Sequence, residues 1–485
     1  MSSIDEIRDA RIKKLELLRS KGINPYPAES KREISLKEAV ENFDTFEKQK
    51  ESKWIAGRIM SIRGQGAIVF ITLNDGTGTF QGLLKKDILG EEKLNFFSEA
   101  VDIGDFVEIQ GTFFTTKRGE KTMEAKDWRI LSKSLRPLPE KWHGLQDAEE
   151  RFRKRYLDIL MNPELKDLFE KKAKFWETVR LFMKEHGFLE VETPTLEVTT
   201  GGAEATPFKT YNEDFKIPLY LRISVGELWQ KRLMASGFTK IFEIGRIYRN
   251  EGSDMNHLQE FTNMEFYWAY ANYNDGMKLT EELYKKIAQD VFGTTKFETR
   301  GHKFDLGGIW ERQDYRDTIK KETGIDVLET TFDEVKDKLD KLGVVYDGDT
   351  MERLVDTLWK FCRKKISGPM FLTGHPKLVS PLSKSKADNE ELTERFQIII
   401  AGSELGNGYS ELNDPITQAE RFETQQKLLE GGDKEAMMPD DEFVEMLEYG
   451  MPPTCGFGLG GEMFFAFLAD KPVRETQMFP LMRPK

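Results

Sequence analysis

One strand-like stretch carries side chains that could bind a small charged molecule. In the run EFTNMEFYWAY, over residues 260–270, successive side chains point to opposite faces because a strand has a side-chain period of two. One face is apolar and consists of Met264, Phe266 and Trp268. The other face combines a ring, an amide, a carboxylate and a phenol, from Phe261, Asn263, Glu265 and Tyr267. The apolar face predicts a core contact, and the mixed face predicts a binding surface.

A second stretch, GSELGNGYSELNDP, repeats this mixture of side chains. Its residues Asn407, Tyr409 and Glu411 lie at i, i+2 and i+4, so they share one face of a strand. Carboxylates that point inward from two strands are costly to bury without a cation. The two stretches therefore predict a buried cation site. The residues alone leave open whether the cation is a metal ion or the ammonium group of a ligand.

The residues that precede the first stretch predict a hairpin. Two period-2 runs, 241–249 and 261–271, flank a polar loop, which favours a long antiparallel pair of strands. Arg249 and Glu251 end the outgoing strand. They could contribute to the same site, or they could form an ordinary surface ion pair near the turn.

The elements that would position these residues form three regions. Residues 1–52 contain an N-terminal helix, ended by Gly22, and a lead-in. Residues 53–135 contain five short β-rich segments separated by turn signals, which favour an OB-fold barrel. Residues 136–485 form the third region, in which a mostly helical insertion covers about 272–366.

Two helices have recognisable ends or faces in the sequence. The N-terminal helix is amphipathic, and its basic face is explained either by docking on the protein or by contact with nucleic acid. A later helix begins with Asn162 as N-cap and Pro163 as its first residue. Gly187 ends that helix, and FLEVETP follows as a strand that Pro194 stops.

The overall composition excludes several classes of protein. The chain has 485 residues, 32% of them charged, and a formal net charge of −12. Its apolar runs are shorter than the roughly 20 residues that cross a bilayer, so no membrane contact is expected. A polyanionic partner would have to meet a local basic patch, because the protein as a whole is acidic.

The cysteine content and the N-terminal run predict a cytoplasmic protein, and the histidine spacing bears on metal sites. Two cysteines, Cys362 and Cys455, are too few for a disulfide framework, which favours a reducing compartment. The run MSSIDEIRDARIKK lacks the apolar segment of a secretory signal. The five histidines are too far apart in sequence for a local H-x₃-H zinc site.

Several motifs in order resemble one enzyme family. RNEG followed by His257 and Phe261 resembles motif 2 of the class II aminoacyl-tRNA synthetases, and the helix and strand ending at Pro194 resemble motif 1. PPTCGFGLGGEMF resembles motif 3. Together with GGAEATPF, GNGYSELNDP, WHGLQDAEERFRKRYLDI and the ending FPLMRP, the chain resembles the bacterial-type lysyl-tRNA synthetases over nearly its whole length.

The resemblance implies a fold, a reaction and partners. The fold is α+β, with an N-terminal OB-fold β-barrel followed by a class II aminoacyl-tRNA synthetase antiparallel sheet flanked by helices. The reaction is ATP-dependent activation of lysine to lysyl-adenylate, followed by transfer to the 3′ end of tRNA(Lys). Mg²⁺ accompanies ATP, and motif 1 implies a homodimer.

The resemblance also implies roles for individual residues. Arg249 is the catalytic residue, which clamps the α-phosphate of ATP and the lysine carboxylate. ATP is bound by Arg249, Glu251, His257 and Phe261. Lysine is bound by Gly202, Glu227, Glu265, Tyr267, Asn407, Tyr409 and Glu411. A metal ion is bound at Glu404 and at the position of Gln397, and the anticodon is read by Arg58, Phe70 and Gln81. Without the resemblance, Phe70 could equally be a plain core aromatic.

Three positions depart from the family pattern. Met463 stands where motif 3 carries an arginine against the triphosphate, and Gln397 stands where a metal-binding glutamate is common. Thr206 replaces a residue that is commonly basic. These departures leave three alternatives open: a slow synthetase compensated by Arg249 and metal, an altered copy, or a non-activating tRNA- or lysine-binding regulatory protein. Aspartyl- and asparaginyl-type synthetases, which share the architecture, are a further alternative.

Overall fold

The chain divides into two compact units. The computed structural model describes residues 4–64, 66–139, 147–203, 205–346, 350–432 and 436–484. The first unit covers residues 1–147 and the second covers residues 148–485, and each unit has its own apolar core.

The first unit is a closed five-stranded barrel with helices around it. Its elements are α1 (Ile4–Ser20), α2 (Leu36–Glu41), α3 (Phe43–Gln49), β1 (Ser52–Arg63), β2 (Ile68–Asn74), β3 (Thr79–Lys85), α4 (Lys86–Leu89), α5 (Glu91–Ala100), β4 (Phe106–Thr115) and β5 (Lys121–Ser132). The strands close in the order β1-β2-β3-β5-β4. The inward side chains form one apolar cluster, which agrees with the predicted OB-type barrel.

Helix α1 docks on its own unit. Leu15 and Leu18 are buried against the barrel unit. The Arg11 guanidinium donates to the Ile103 carbonyl at 2.9 Å and to Ser134 Oγ at 2.7 Å. Lys14 Nζ lies 2.7 Å from Asp102. Because these two cations are used in internal contacts, the docking explanation accounts for them better than contact with nucleic acid does.

The second unit is built on an eight-stranded sheet. Its helices are α6 (Ala148–Arg153), α7 (Arg155–Met161), α8 (Pro163–Glu185), α9 (Glu227–Ala235), α10 (Tyr273–Ile287), α11 (Tyr315–Thr323), α12 (Phe332–Leu342), α13 (Met351–Arg363), α14 (Pro415–Glu430), α15 (Asp441–Tyr449) and α16 (Gly461–Leu468). A π-helical turn covers Ala288–Phe292, and 3₁₀ turns cover Lys377–Val379 and Val473–Thr476.

The strands of the second unit are mostly antiparallel. They are β6 (Leu189–Glu190), β7 (Leu196–Glu197), β8 (Lys209–Asn212), β9 (Ile217–Leu221), β10 (Lys240–Tyr248), β11 (Glu260–Ala269), β12 (Lys296–Thr299), β13 (His302–Asp305), β14 (Glu311–Asp314), β15 (Met370–Thr373), β16 (Arg395–Ile400), β17 (Ser403–Ser410) and β18 (Thr454–Leu459). The main sheet has the order β14-β15-β16-β17-β18-β11-β10-β6.

One face of this sheet packs on the apolar core. Met264 and Phe266 are fully buried there, as the alternation in β11 predicts. Phe457 of β18 stacks on Phe396 with ring centroids 5.7 Å apart and contacts Phe266 at 5.5 Å. In the described part of the chain, no helix is long and apolar enough to cross a membrane.

The motif 1 segment differs from the prediction in two details. Helix α8 begins at Pro163 as expected, but the Asn162 side chain does not cap it and donates instead to Asp158 Oδ1 at 2.7 Å. The strand predicted for FLEVETP is reduced to β6, two residues long. The backbone N–H of Thr193 donates to the Glu243 carboxylate at 3.0 Å. This hydrogen bond replaces the one that the backbone of a neighbouring strand would accept if the predicted strand continued.

The segment 272–366 is mostly helical, but it also contributes strands. Helices α10 to α13 and the π-helical turn account for most of it, while β12 and β13 pair as a short hairpin. Strand β14 pairs in parallel with β15 and forms an edge of the main sheet. Helices α11 to α13 share a separate apolar cluster with Ile399 of β16.

Candidate active site

The candidate site lies on the face of the main sheet opposite its core. Strand β18 runs between β11 and β17, and its side chains alternate between buried apolar groups and glycines. Gly456 is opposite Tyr267 on one side and Tyr409 on the other. Two residues along, Gly458 is opposite Glu265 and Asn407. We call Gly456 and Gly458 the glycine floor, because they leave bare backbone between two rows of polar side chains.

At Gly456, one of the two positions of the glycine floor, any side chain would collide with neighbouring side chains. A Cβ on Gly456 would lie 2.0 Å from Glu411 Oε1 and 2.7 Å from a Tyr267 ring carbon. A Cβ on Gly458 would meet Glu265 Cγ at 3.6 Å, an ordinary contact. The Glu411 carboxylate and the Tyr267 ring therefore lie directly over the backbone of β18 at Gly456.

Five buried or half-buried side chains from three elements form an ammonium cage above this floor. They are Glu227 of α9, Glu265 and Tyr267 of β11, and Tyr409 and Glu411 on and just after β17. Glu265 accepts the backbone N–H of Val225 at 2.8 Å and the Tyr267 hydroxyl at 3.3 Å. The Tyr409 hydroxyl donates to Glu227. The structure thus brings together the acidic and phenolic residues that the two mixed strand faces contribute.

The two remaining predicted lysine-site residues border the ammonium cage. Gly202 has a φ of +86°, and a Cβ there would lie 2.5 Å from Glu227 Cβ, so both backbone conformation and space favour glycine. Asn407 accepts the Arg395 Nε–H at 2.8 Å through Oδ1. This bond leaves the Nδ2 group of Asn407 as its donor toward the site.

A lysine of the chain itself occupies part of the ammonium cage. Lys231 is only 1% exposed, and its Nζ lies 2.6 Å from Glu411 Oε2 and 3.0 Å from Glu227 Oε1. The Nζ is also 5.4 Å from the centroid of the Tyr409 ring. Sequence reasoning missed this residue. The available signal was its i,i+4 spacing from Glu227 on α9, but such pairs are ordinary on exposed helix surfaces.

Burial sets the protonation of the ammonium cage. Burial, together with the negative charge of Glu227, raises the pKa of Glu265 to about 8. Burial raises the pKa of Glu411 to about 8 as well, although the nearby Lys231 acts to lower it. Burial also raises the pKa of the Tyr267 and Tyr409 phenols well above its ordinary value, so both remain neutral donors. Burial therefore favours the protonated form of both Glu265 and Glu411, and a nearby cation favours the carboxylate form.

The predicted nucleotide-binding residues are only partly brought together. The Arg249 guanidinium donates to the Ile223 carbonyl at 3.3 Å and lies 5.5 Å from the Phe261 ring centroid. Glu251 and His257 are exposed in the loop between β10 and β11. His257 Nδ1 is 2.7 Å from Asp254 Oδ2. Arg249 and Phe261 therefore lie close together, whereas Glu251 and His257 lie apart from them in the exposed loop between β10 and β11.

A β-bulge turns Glu404 toward the same face as the ammonium cage. Ile398 pairs with Gly406 and Ile399 pairs with Glu404, which leaves Leu405 as the extra residue. Simple alternation would place Glu404 on the face opposite Asn407. With the bulge, the Gln397 amide donates to Glu404 Oε2 at 2.7 Å.

This pair of residues fits a weakly held magnesium ion. Glu404 offers a carboxylate, and Gln397 Oε1 is buried beside the His375 ring without a well-directed hydrogen bond. Among the described residues, no group of three or more His, Cys, Asp and Glu side chains could hold a metal ion. Mg²⁺ commonly uses one or two protein oxygens and completes its shell with phosphates and water. The donor set therefore suits a metal that arrives with a nucleotide.

Met463 lies in the first turn of α16. Its side chain packs against the apolar core of the second unit. The preceding residue, Glu462, is buried and lies 2.5 Å from Lys172 Nζ, and it accepts the Gln477 amide at 2.8 Å. The residue at this position, shortly after strand β18, is therefore a methionine, and its thioether carries no positive charge that could bind an anion.

The three predicted anticodon residues share the outer face of the barrel. Arg58, Phe70 and Gln81 are half-buried, whereas the alternate positions on β2 belong to the barrel core. The Arg58 guanidinium stacks on the Phe106 ring at 4.3 Å. The Gln81 amide donates to Thr122 Oγ1 at 2.8 Å. Phe70 lies outside the apolar cluster, which rejects the explanation of a plain core aromatic.

The chain matches two protein-family models and several known proteins over nearly its whole length. A family model described as "tRNA synthetases class II (D, K and N)" matches residues 147–483, and one described as "OB-fold nucleic acid binding domain" matches residues 53–131. A lysine–tRNA ligase of Thermotoga maritima is 43% identical, with 99% of this chain and 97% of the relative covered. Lysine–tRNA ligases of Roseiflexus sp. and Halalkalibacterium halodurans are 42% and 41% identical, with 99% of this chain and 99% and 98% of those relatives covered.

Replacing Gly456 by alanine tests the role of the glycine floor. The added Cβ would lie 2.0 Å from Glu411 Oε1, so this carboxylate must leave its place in the ammonium cage. Because a hydrogen bond to a charged group contributes about 1.5–3 kcal/mol, we expect the affinity for lysine to fall by about 10–150-fold. The measurement is the rise in Tm that lysine produces.

Gly458→Ala is the matched control on the same strand. Its Cβ makes only an ordinary contact at 3.6 Å, so the lysine-dependent rise in Tm should persist. Equal responses of the two variants to lysine would contradict the proposed dependence on Gly456.

Proposed function

The chain belongs to the class II lysine–tRNA ligase family, and on this premise we propose how its residues join lysine to tRNA(Lys). In the first step the lysine carboxylate attacks the α-phosphate of ATP in line, which gives lysyl-adenylate and pyrophosphate. In the second step the terminal ribose hydroxyl of tRNA(Lys) takes the lysyl group and AMP leaves. The comparisons give no support to the alternative of a non-activating regulatory protein.

The observation that carries the choice of lysine is the ammonium cage. Glu265, Tyr267 and Glu411 offer two carboxylates and a phenol, which suit a compact ammonium group. An aspartate side chain would need a free cation instead. Among the described residues, the cation within the cage is Lys231, and it is already paired with carboxylates. This arrangement favours lysine over the substrates of aspartyl- and asparaginyl-type synthetases.

The α-ammonium group and the carboxylate of lysine, at the end opposite its side-chain ammonium, face groups that can bind them. Glu227 and the backbone at Gly202 hold the α-ammonium group, and Asn407 donates through Nδ2 to the carboxylate. Arg249 binds the same carboxylate and the α-phosphate, because a guanidinium can bridge two oxyanions with parallel hydrogen bonds. This clamp brings nucleophile and phosphorus together, and positioning of this kind can supply much of the rate enhancement.

The nucleotide is held by the hairpin of β10 and β11. Phe261 stacks on adenine, Glu251 binds the adenine edge, and His257 lies near the outer phosphates. Glu404 and Gln397 would hold a Mg²⁺ ion, which supplies charge neutralisation on the phosphates when it is bound.

Two further proposals concern assembly and location. Leu181 of α8 and Leu189 of β6 are 51% and 52% exposed, which places apolar surface on the motif 1 elements and supports a homodimer through them. A cytoplasmic location is proposed because the substrates, ATP and tRNA(Lys), are found there.

Lysine-dependent exchange of pyrophosphate into ATP tests the proposed function. We expect exchange with lysine and none with aspartate or asparagine, because only an ammonium side chain matches the cage. Exchange driven by aspartate would reverse the substrate assignment. Retained tRNA binding without any exchange would favour the regulatory alternative.

Met463→Arg tests the missing triphosphate contact. Arginines that stabilise transferring phosphoryl groups contribute about 10³–10⁵ in rate in other enzymes, so we expect exchange to accelerate by at least about tenfold. Met463→Leu keeps the apolar packing and should show no gain. If the arginine variant is no faster than the leucine variant, Met463 does not limit the rate.

Phe70→Ala tests the anticodon face of the barrel. A stacked base contributes about 1–3 kcal/mol, so the affinity for tRNA(Lys) should fall by about 5–150-fold while exchange without tRNA is unchanged. Phe96 of α5, a half-buried ring that packs on Trp128 and does not belong to this strand face, provides the control variant Phe96→Ala. A similar loss of tRNA affinity in both variants would contradict a specific role for Phe70.

A further inference from the structure

The ammonium cage contains a permanent cation. The Lys231 Nζ contacts Glu227 and Glu411 at 3.0 Å and 2.6 Å, and it lies near the outer limit of a cation–π contact, about 6 Å, from the centroids of three rings. These rings are Tyr409 at 5.4 Å, Phe443 of α15 at 5.9 Å and Tyr267 at 6.0 Å. The protein therefore already holds one ammonium group in surroundings of the kind proposed for the substrate.

The charges of the site balance only when this cation is counted. Three carboxyl groups, on Glu227, Glu265 and Glu411, face the ammonium cage. Lysine brings two ammonium groups, one at its α-carbon and one at its side chain, and its own carboxylate is directed to Arg249. Two substrate ammonium groups neutralise two carboxylates, and Lys231 neutralises the third.

We propose that Lys231 is a built-in counter-ion that sets the charge of the lysine site and holds the side chains of Glu227 and Glu411 in their substrate-binding positions. Lys231 is thus a positioning residue that acts through the two glutamates. The proposal rests on the proposed function for its ligand, but the charge arrangement that it explains is present without ligand.

The surroundings of Lys231 support a role in charge balance over a role in packing. Burial opposes charge on Lys231, yet the Glu227 and Glu411 carboxylates raise its pKa, so it remains an ammonium. Burial raises the pKa of both Glu265 and Glu411 to about 8, and the positive charge of Lys231 acts against this rise at both carboxyls. Arg395 of β16 also acts on the cage, because its positive charge opposes the rise in the pKa of Tyr409.

Replacement of Lys231 by an uncharged residue should cause the carboxyls of the ammonium cage to take up a proton. Without Lys231, Glu227 and Glu411 would be buried carboxyls with no cation within ion-pair distance among the described residues, and the ammonium cage would take up about one proton in place of the lost positive charge. A neutral carboxyl attracts an ammonium group far less than a carboxylate does. Lysine would then have to displace an additional proton in order to bind.

The test compares Lys231→Met, Lys231→Arg and the wild type. Lysine binding is measured calorimetrically in buffers of different ionisation enthalpy, which counts the protons released per lysine bound. We expect Lys231→Met to release about one more proton than the wild type. Its KM for lysine in pyrophosphate exchange should rise by at least about tenfold at pH 7 and should fall more steeply with pH between 7 and 9. Lys231→Arg keeps the charge, so it should retain the wild-type proton count.

A matched control comes from another helix of the same unit. Lys285 pairs with Glu281 at 2.6 Å, with the same i,i+4 spacing, but both residues lie on α10 outside the ammonium cage. Lys285→Met should leave the proton count and the pH dependence of KM unchanged. Proton release that is the same in Lys231→Met and the wild type would overturn the proposal.

A measurement without lysine separates this proposal from the proposed function. A buried carboxyl with a raised pKa stabilises the fold at low pH, and this contribution is lost as pH rises through that pKa. The difference in Tm between the wild type and Lys231→Met should therefore be small at pH 5.5 and should widen toward pH 8.5. A difference that stays constant with pH indicates lost packing alone and would overturn the proposal. A wild type that binds no lysine contradicts the proposed function and leaves this comparison of Tm values interpretable.

Discussion

Three carboxyl groups cannot be buried together as three unpaired negative charges, and this constraint organises the second unit. Glu227, Glu265 and Glu411 are all less than a tenth exposed, on three different elements. The structure accommodates them with one internal ammonium, two neutral phenols and raised pKa values for Glu265 and Glu411, which burial causes. The unliganded site therefore has less positive than negative charge, and a ligand with two ammonium groups can supply the difference. Substrate choice and the stability of the unliganded site are therefore aspects of the same electrostatic balance.

The sheet supplies the space for this balance. Strand β18 places bulky side chains on the core face and glycines on the other, so the flanking strands can direct long polar groups across bare backbone. Because Gly456 has no side chain, Glu411 and Tyr267 can approach the backbone of β18 more closely than they could with any other residue at this position. The bulge at Leu405 has a related effect on β17, because it turns Glu404 toward the side of the sheet that carries the cage.

The departures from the family pattern lie on the phosphate side of the site. Met463 packs on the apolar core, and Gln397 replaces a carboxylate with an amide that donates to Glu404. The lysine side retains its carboxylates, phenols and glycines, and the barrel retains its half-buried Phe70. We therefore expect recognition of lysine and tRNA to be separable from the rate of adenylate formation, because different elements carry the residues proposed for the two tasks.

The sequence alone determined which side chains share a face, whereas the tertiary structure decided what those faces meet. Strict alternation in β11 and β17 made the groupings of Glu265 with Tyr267 and of Tyr409 with Glu411 predictable, and motif resemblance assigned the family. The short β6, the uncapped Asn162 and the bulge before Gly406 were not predictable, because each depends on a distant hydrogen-bonding partner or on strand register. The same holds for Lys231, which a helical pattern would place in solvent. Local periodicity acts over neighbouring residues, but the partner of a buried charge is chosen by long-range packing.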